Sequence, residues 1–419
     1  MQLETDVLVC GAGCAGLSAA LASARNGSKT ILVERAGFSG GIITCVGLPF
    51  FDGIARKSDK KVLVRGIPLE LLWRMGVCEM GADTIYKHNP TIKNIEQFKL
   101  LADELIETEP RLEVLYHSFA VETNMEGDRI GEVLVATKEG LVPIKAKTVI
   151  DCTGDADIAQ RTGTPIQKSE ELLPMTMHFR IGNVERGGDL RTPCQNALLK
   201  AQEAGDLGLF YGPGLSFMFA DDEVYIHAIR VLGDASQVRS LTLAEIQGRK
   251  DAWTMYDYWK REVPAFKNAY YISSGPYMGI RETCRIEGVT NLTEEDVRGE
   301  RLRDDAVATG CWYMDIHPQK TTLGSANEGE GFQPDFYDIP YGSLLPKKVS
   351  NLLVAGRCHG ADRMAASSSR VSVTCMAMGQ AAGTAAALAT DEGKGVQELE
   401  GTQVRAILEA QHAGPYREG

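Results

Sequence analysis

The sequence lacks the patterns that bind metal clusters or nucleic acid. None of its ten cysteines forms a Cys-x-x-Cys pair, so we expect neither a zinc site nor an iron–sulfur cluster, and predict no metal. Scattered single thiols are typical of a reducing compartment, which favours a cytoplasmic location. The formal net charge of -12 argues against nucleic acid or an anionic membrane surface as a partner.

Long apolar runs are also scarce. No positively charged segment followed by an apolar one stands near the amino terminus, so we expect no signal peptide. Residues 371–390 carry no charge and are numerous enough to span a bilayer. They consist mostly of Ala, Gly, Ser and Thr rather than Leu and Ile, which predicts a buried helix packed on a cofactor instead of a membrane span.

What the sequence does contain is a dinucleotide-binding pattern at its amino terminus. A strand-like run over residues 5–10 is followed by a G-x-G-x-x-G loop, a small-residue helix and a second strand-like run. This order predicts a tight turn at Gly11, close approach of a diphosphate to Gly13, and close helix–strand packing at Gly16. The helix amino terminus favours the diphosphate charge. The predicted cofactor contacts in this loop are Gly11, Gly13, Cys14, Ala15 and Gly16.

An acidic residue stands where a dinucleotide ribose would bind. Glu34 follows Gly13 by 21 positions, at the end of the second strand-like run. Its carboxylate would accept hydrogen bonds from ribose hydroxyls and would disfavour the 2′-phosphate of NADP. The Gly-Gly pair that follows resembles FAD enzymes, in which an extended chain runs along the diphosphate and the flavin. The predicted contacts here are Glu34, Arg35, Gly40, Gly41, Ile42 and Thr44.

Two later regions resemble the remaining parts of an FAD site. Residues 112–122 look like the strand pair that meets the adenine, and a β-meander leads from there to the Thr-Gly-Asp turn at 153–155. A third strand-like run ends at Gly356 and precedes the small-residue helix, whose amino terminus would favour negative charge on reduced flavin. The predicted contacts are Val121, Thr153, Gly154, Asp155, Gly356, Arg357, Val371, Ser372 and Val373.

Motifs spread from residue 5 to residue 390 resemble the FAD-dependent oxidoreductase family related to the heterodisulfide reductase flavoprotein subunit. That family is a distant relative of the fumarate reductase and succinate dehydrogenase flavoproteins. The matching runs are GAGCAGLSAA, ERAGFSGG, VIDCTGDADIA, LPMTMHFRIGNV, GIRETCRIEG, YMDIHP, IPYGSLLP, NLLVAGR and SRVSVTCMAMGQAAG. The resemblance implies FAD as cofactor and a redox enzyme. It does not extend to heterodisulfide chemistry or to covalent flavin attachment through His, because those segments are missing.

The resemblance also implies an α/β fold, with a Rossmann-type FAD-binding domain of the glutathione reductase kind and an inserted α+β substrate domain. Residues 1–165 and 335–395 would form the FAD-binding domain, with a small insertion at about 50–95. Residues 166–334 would form the substrate or cap domain, including a strand pair and a long amphipathic helix over about 241–261. Residues 396–419 would form a C-terminal helix and tail.

Candidate catalytic residues lie in segments that the resemblance places near the flavin. Arg281 and Arg285 are four positions apart and would clamp an anion from one helix face, unless they pair with neighbouring glutamates. Asp315 and His317 would project the same way from a strand, so that the carboxylate orients the imidazole for acid–base catalysis. A structural hydrogen bond is the alternative for this second pair.

The segment after Gly356 supplies further candidates. In the fumarate reductase relatives this region delivers a catalytic arginine, although Arg370 could instead brace the flavin loop. Cys45 could be redox-active or attach to flavin, but a packed thiol is the simpler interpretation. The predicted catalytic residues are His317, Arg281, Arg363, Arg370 and His359.

Together these patterns favour an FAD-dependent oxidoreductase that acts on a small polar metabolite by hydride transfer to or from flavin N5. An electron-transfer flavoprotein subunit of a larger redox complex and an FAD monooxygenase remain as alternatives. No second dinucleotide loop followed by a ribose-binding acid is present, so the expected electron partners are a substrate, oxygen, a quinone or a partner protein. Substrate identity, reaction direction and the choice between a monomer and a homo-oligomer stay open.

Overall fold

The chain alternates strands and helices in the order expected for an α/β fold, as described for residues 2–324 and 331–418 of a computed structural model. The strands are Leu3–Cys10 (β1), Thr30–Val33 (β2), Leu112–Leu115 (β3), Phe119–Glu126 (β4), Arg129–Thr137 (β5), Gly140–Asp151 (β6), Ile166–Lys168 (β7), Phe179–Gly182 (β8), Leu209–Phe210 (β9), Leu215–Phe217 (β10), Val224–Ile226 (β11), Ile229–Arg230 (β12), Tyr270–Ser274 (β13), Cys284–Ile286 (β14), Ala306–Gly310 (β15), Tyr337–Pro340 (β16) and Leu352–Val354 (β17). The helices are Cys14–Arg25 (α1), Ile67–Arg74 (α2), Ile95–Glu107 (α3), Asp157–Arg161 (α4), Arg191–Glu203 (α5), Val238–Glu262 (α6), Glu294–Arg298 (α7), Arg363–Ser369 (α8), Ser372–Glu392 (α9) and Gly401–Ala410 (α10).

The seven-stranded sheet combines six strands from the first 151 residues with β17 from near the carboxyl end of the chain. β1 pairs in parallel with β2 and β6, and β2 pairs in parallel with β3. β6 changes partners along its length: its first residues pair with β5, and its last pair in parallel with β17. β4 completes the β-meander. The parallel part brings the carboxyl ends of its strands to one edge, where ligands bind in folds of this kind. The predicted Rossmann-type fold is confirmed.

Helices α1 and α9 pack side by side against β1 and β6. Their backbones touch because the facing residues are small: a Cβ at Gly379 would lie 2.0 Å from the carbonyl oxygen of Ala15, and one at Gly383 would lie 2.1 Å from that of Ala19. Nearly all of α9 is buried. The interpretation of residues 371–390 as a buried helix is therefore confirmed, and its Ala and Gly content reflects close helix packing as well as the nearby cavity.

In the described residues, no single helix has the length and apolar character needed to cross a bilayer. Only α8 and α9 taken together have them, and that pair is bent by 93°.

A second hydrophobic core lies in the inserted part of the chain, with buried residues from Met175 to Met278. It combines the antiparallel sheet β10-β11-β8-β13 with α5 and α6. Large aromatic side chains such as Phe179 and Trp259 fill it. The predicted strand pair corresponds to β10 and β11. The predicted amphipathic helix corresponds to α6, which begins and ends close to the expected positions.

Before residue 334 the chain returns to the first hydrophobic core, in which residues of α1, α3 and α9 pack with those of β1. β14 pairs with β7, β15 pairs with β16, and Leu292 and Val307 are buried in the first core. The predicted cap of 166–334 is therefore longer than the second core itself. The 50–95 segment and α10 also contribute to the first core, through Phe51 and Val404. The predicted C-terminal helix corresponds to α10, which packs one face against α9 and β15.

Candidate FAD and substrate site

One cavity extends from the glycine loop to the second core. Its walls are the β1–α1 loop, the chain at 118–120, the turn at 152–157, the loop after β17 and the amino terminus of α9. Its far end is lined by side chains including Arg281 and His317. The predicted FAD contacts that line it are Gly11, Gly13, Cys14, Ala15, Glu34, Arg35, Gly41, Ile42, Thr153, Gly154, Asp155, Gly356, Arg357, Val371 and Ser372.

The remaining predicted contacts lie behind this wall. At Gly16 a Cβ would lie 1.7 Å from the carbonyl oxygen of Gly11, so this glycine serves packing and not contact. The Thr44 hydroxyl donates to the backbone. Val121 is replaced in the wall by its neighbour Ala120, because a register shift in the β4–β5 pair falls at this point. The predicted contacts that do not line the cavity are Gly16, Gly40, Thr44, Val121 and Val373.

The amino terminus of α1 has the features that a diphosphate requires. Its N-cap residue is Gly13, no side chain caps it, and its first turn contains no acidic residue. Gly11 has φ of +96°, and a Cβ there would lie 2.7 Å from the carbonyl oxygen of Cys152. At Gly13 a Cβ would meet only the Cα of Gly41, at 3.8 Å. The helix end therefore offers free N–H groups and an unobstructed approach for an anion.

Glu34 is fixed between the glycine loop and the irregular segment that follows β2. One carboxylate oxygen accepts a hydrogen bond from the Ala12 N–H at 2.7 Å, and the other accepts from the Ala36 N–H at 2.8 Å. Each oxygen keeps a second lone pair. The residue lines the cavity, so its geometry fits the predicted ribose contact.

The amino terminus of α9 forms another wall of the cavity. Val371 is its N-cap residue and provides no side-chain cap. The Ser372 hydroxyl donates to the carbonyl oxygen of Phe50 at 3.0 Å, so it does not cap the helix either. The free N–H groups of a 21-residue helix favour negative charge at this point of the cavity.

The two arginines of the GIRETCRIEG run do not form a clamp, and the predicted helix is wrong. Arg281 precedes β14, and Arg285 lies within it, because this segment pairs with β7. Arg285 forms a buried ion pair with Glu282 at 2.8 Å. Only Arg281 of the two lines the cavity.

Arg281 is a buried cation without a carboxylate partner among the described ion pairs. Its guanidinium donates to the carbonyl oxygen of Pro174 at 2.6 Å and to Nε2 of His227 at 2.9 Å. Burial, and then the charge of Arg370, lower the pKa of Arg281 to about 9, so it remains charged at neutral pH. A buried cation that lacks an anion is a binding site for one.

Asp315 and His317 contact each other as predicted, although they lie in an irregular segment and not in a strand. His317 Nε2 lies 2.9 Å from a carboxylate oxygen of Asp315, and Arg370 donates to the same oxygen at 3.0 Å. Burial would raise the pKa of Asp315, but His317 and Arg370 hold it below its usual range. Burial, and then Arg281, lower the pKa of His317 to about 4.

These shifts define the protonation states of the pair. At neutral pH Asp315 is ionised and His317 is neutral. Because an ionised carboxylate can only accept hydrogen bonds, the network assigns the imidazole proton to Nε2. Nδ1 of His317 then carries a lone pair and can accept a proton.

Two more histidines join this end of the cavity, and the sequence analysis did not select them. His178 precedes β8 and His227 follows β11, and their ring centroids lie 4.4 Å apart. Nδ1 of His178 lies 2.7 Å from the Tyr225 hydroxyl, while its Nε2 is buried without a partner. Burial lowers the pKa of both imidazoles below the neutral range. Both are therefore neutral hydrogen-bonding groups beside Arg281. The LPMTMHFRIGNV run already contained His178.

His359 and Arg363 do not line the cavity. His359 is fully buried, and its Nε2 lies 2.8 Å from the hydroxyl of Ser369, the last residue of α8, so it braces the end of that helix. Arg363 points to a separate small recess and lies 3.7 Å from Glu282. Cys45 does line the cavity, but burial, and then Glu34, raise the pKa of its thiol to about 11. A protonated thiol fits the packed interpretation.

The glycine loop, Glu34 and the two uncapped helix ends are the features of a dinucleotide-binding site. The profile of the FAD dependent oxidoreductase family matches residues 6–408. The chain belongs to this family, is an oxidoreductase, and uses FAD as its cofactor.

Two solved structures illustrate the fold. GidA of Aquifex aeolicus is 16% identical, with 96% of this chain and 70% of that chain covered and a TM-score of 0.52. A geranylgeranyl bacteriochlorophyll reductase-like protein from Thermoplasma acidophilum is 13% identical, with 98% and 84% covered and a TM-score of 0.51. At these identities the likeness shows the fold alone.

Proposed function

We propose that the protein exchanges a hydride between flavin N5 and a small anionic metabolite at the Arg281–His317 end of the cavity. One observation carries this proposal: an unpaired buried arginine and an oriented acid–base pair share a cavity with the FAD-binding loops. Bound FAD supplies the two-electron acceptor or donor at N5. The protein residues bind the metabolite and handle its proton.

Arg281 would bind the negative charge of the metabolite. Its position is fixed by hydrogen bonds to the Pro174 carbonyl and to His227, so little side-chain entropy is lost when an anion binds. Charge-assisted hydrogen bonds between a guanidinium and a carboxylate are the strongest that side chains form. A substrate with a carboxylate next to its reacting carbon fits this arrangement best.

His317 would take the proton that leaves with the hydride. A hydroxyl or amine group loses a proton and its carbon loses a hydride, so that a C–O or C–N single bond becomes double. Nδ1 of His317 would accept this proton, while Asp315 holds the imidazole in the required tautomer. Arg370 keeps Asp315 ionised and in place. In the reductive direction the same imidazole returns the proton.

The test is anaerobic reduction of the bound FAD by a panel of small hydroxy and amino acids, followed by re-oxidation with air, fumarate or a quinone. For a metabolite that bleaches the flavin, we expect His317→Ala to lower the reduction rate by about 10²–10⁴-fold without loss of FAD. His412→Ala, which removes an exposed histidine, is the matched control and should reduce at the wild-type rate.

The alternatives give different results in the same assay. An electron-transfer subunit would be reduced by no small metabolite, but only by a redox partner. A monooxygenase would need an external reductant before it consumed oxygen. Equal reduction rates for His317→Ala and the wild type would remove His317 from the mechanism.

A further inference from the structure

Asp52 lies where the flavin-binding part and the second core meet. The carbonyl oxygen of Phe50 accepts a hydrogen bond from Ser372 at the amino terminus of α9, and the Phe50 ring lies 6.1 Å from the ring of Tyr225 on β11. On the other side of Asp52, Gly53 faces Val371, whose Cγ2 would be 3.6 Å from a Cβ there. Asp52 itself lines the cavity, as Arg281 and His317 do.

Two carboxyl groups therefore face this end of the cavity, and their surroundings differ. Asp315 is held by His317 and Arg370. No ion pair within 4.0 Å joins Asp52 to a cation among residues 2–324 and 331–418, and the neighbouring Asn89 only partly offsets the rise in its pKa. Asp52 interacts electrostatically with five titratable or charged groups, which are Lys87, Tyr225, Tyr313, Asp315 and Arg370.

The difference separates the protonation states of the two groups. Burial, and then the charge of Asp315, raise the pKa of Asp52 to about 7. Asp315 is ionised throughout the neutral range. Carboxyl pairs whose environments separate their pKa values commonly divide their roles in this way. Of the two carboxyl groups at this end of the cavity, Asp52 is therefore the one that changes charge near neutral pH.

We infer that Asp52 binds the substrate anion as a neutral carboxylic acid, so that anion binding above neutral pH takes up one proton. The protonated carboxyl donates a hydrogen bond to an oxygen of the anion, whereas the ionised form repels it. This inference rests on the proposed function only for the placement of the anion near Arg281. It narrows the substrate class to anions that offer an oxygen acceptor to Asp52 as well as one to Arg281, such as carboxylates.

The test uses the FAD-loaded protein and oxalate, which is a dianion throughout the range used. Binding is followed by the flavin difference spectrum between pH 5.5 and 8.5. For the wild type we expect the dissociation constant to rise about tenfold per pH unit above pH 7, as uptake of one proton requires. Asp52→Asn mimics the neutral acid, so its dissociation constant should stay flat and be about tenfold or more lower than the wild type at pH 8.5.

Asp251→Asn is the matched control. Asp251 is also a buried carboxyl whose pKa is raised by burial, but it contacts Gly208 and Gln247 in the second core and does not line the cavity. This variant should keep the wild-type pH dependence. Absence of oxalate binding, or the same pH dependence in Asp52→Asn as in the wild type, would overturn the inference. Neither result decides whether a metabolite reduces the flavin, which tests the proposed function separately.

Thermal unfolding gives a second readout that needs no ligand. When folding raises the pKa of an acid, the protein loses stability as the pH rises from the pKa of the unfolded state, about 4, to the pKa of the folded state, about 7. Above that pH the loss stays constant. Asp52→Asn removes this loss. The melting temperature of Asp52→Asn relative to the wild type should therefore be higher at pH 8.5 than at pH 4.5. A constant difference would contradict a neutral Asp52.

Discussion

Two hydrophobic cores of this protein, the first and the second, serve the site by different means. The first core brings backbone to the ligand: α1 and α9 touch through glycine and alanine, and the glycine loop leaves N–H groups free at a helix end. The second core is filled by large aromatic residues, and the segments at its border present side chains, such as His178 and Arg281, to the cavity. The approach of the diphosphate therefore depends on the absence of side chains, and substrate chemistry depends on their placement.

The largest effect that this comparison predicts is at the glycines of the first core. Gly13→Val should abolish FAD binding but leave a folded protein, because its side chain would enter the diphosphate position and meets only Gly41 within the protein. Gly16→Ala should instead prevent folding, since its Cβ would lie 1.7 Å from the Gly11 carbonyl oxygen. Flavin absorbance and far-UV circular dichroism separate the two outcomes. Retention of FAD by Gly13→Val would show that the loop does not hold the diphosphate.

A smaller effect is expected in the second core. Trp259 is fully buried, and its indole N–H donates to the Cys194 carbonyl oxygen at 3.0 Å. Trp259→Ala should lower the free energy of unfolding by about 3–5 kcal/mol, measured by denaturant titration, while the folded protein still binds FAD. Trp253 is 51% exposed, so Trp253→Ala should cost about 1 kcal/mol or less. If folded Trp259→Ala protein lost its FAD, cofactor binding would depend on the second core as well as on the first.

The smallest predicted effect is at the ribose contact. Glu34→Ala should weaken FAD binding by about 1–3 kcal/mol, because charged hydrogen bonds are lost. Titration of the apoprotein with FAD measures this change. Glu104→Ala, at an exposed position on α3, is the control and should bind FAD as the wild type does. If both variants bound FAD with the same affinity, the ribose would not contact Glu34.

The same contrast explains what the sequence could predict. Gly11, Gly13 and Glu34 could be identified because backbone geometry demands particular residue types at fixed spacings along one segment. The sheet, the meander and the buried α9 followed from the same local patterns. Ala120 in place of Val121 could not be predicted, because the register shift in the β4–β5 pair depends on the partner strand.

The substrate end was only partly predictable. Arg281, Asp315 and His317 stood out as charged residues in motif-dense runs. The helix proposed for Arg281 and Arg285 was wrong, because strand pairing with β7 determines that segment and turns Arg285 towards Glu282. His227 and Asp52 were missed because they reach the cavity through tertiary contacts that no local spacing reports.

The central claim is that FAD and substrate share one cavity, with the flavin ring next to the Arg281–His317 end. A crystal structure of the FAD complex with bound oxalate tests it most directly. We predict the diphosphate at the amino terminus of α1, the flavin ring beside the amino terminus of α9, and oxalate within hydrogen-bonding distance of Arg281, between the ring and His317. A flavin ring at the opposite end of the cavity, or oxalate bound away from Arg281, would contradict the account.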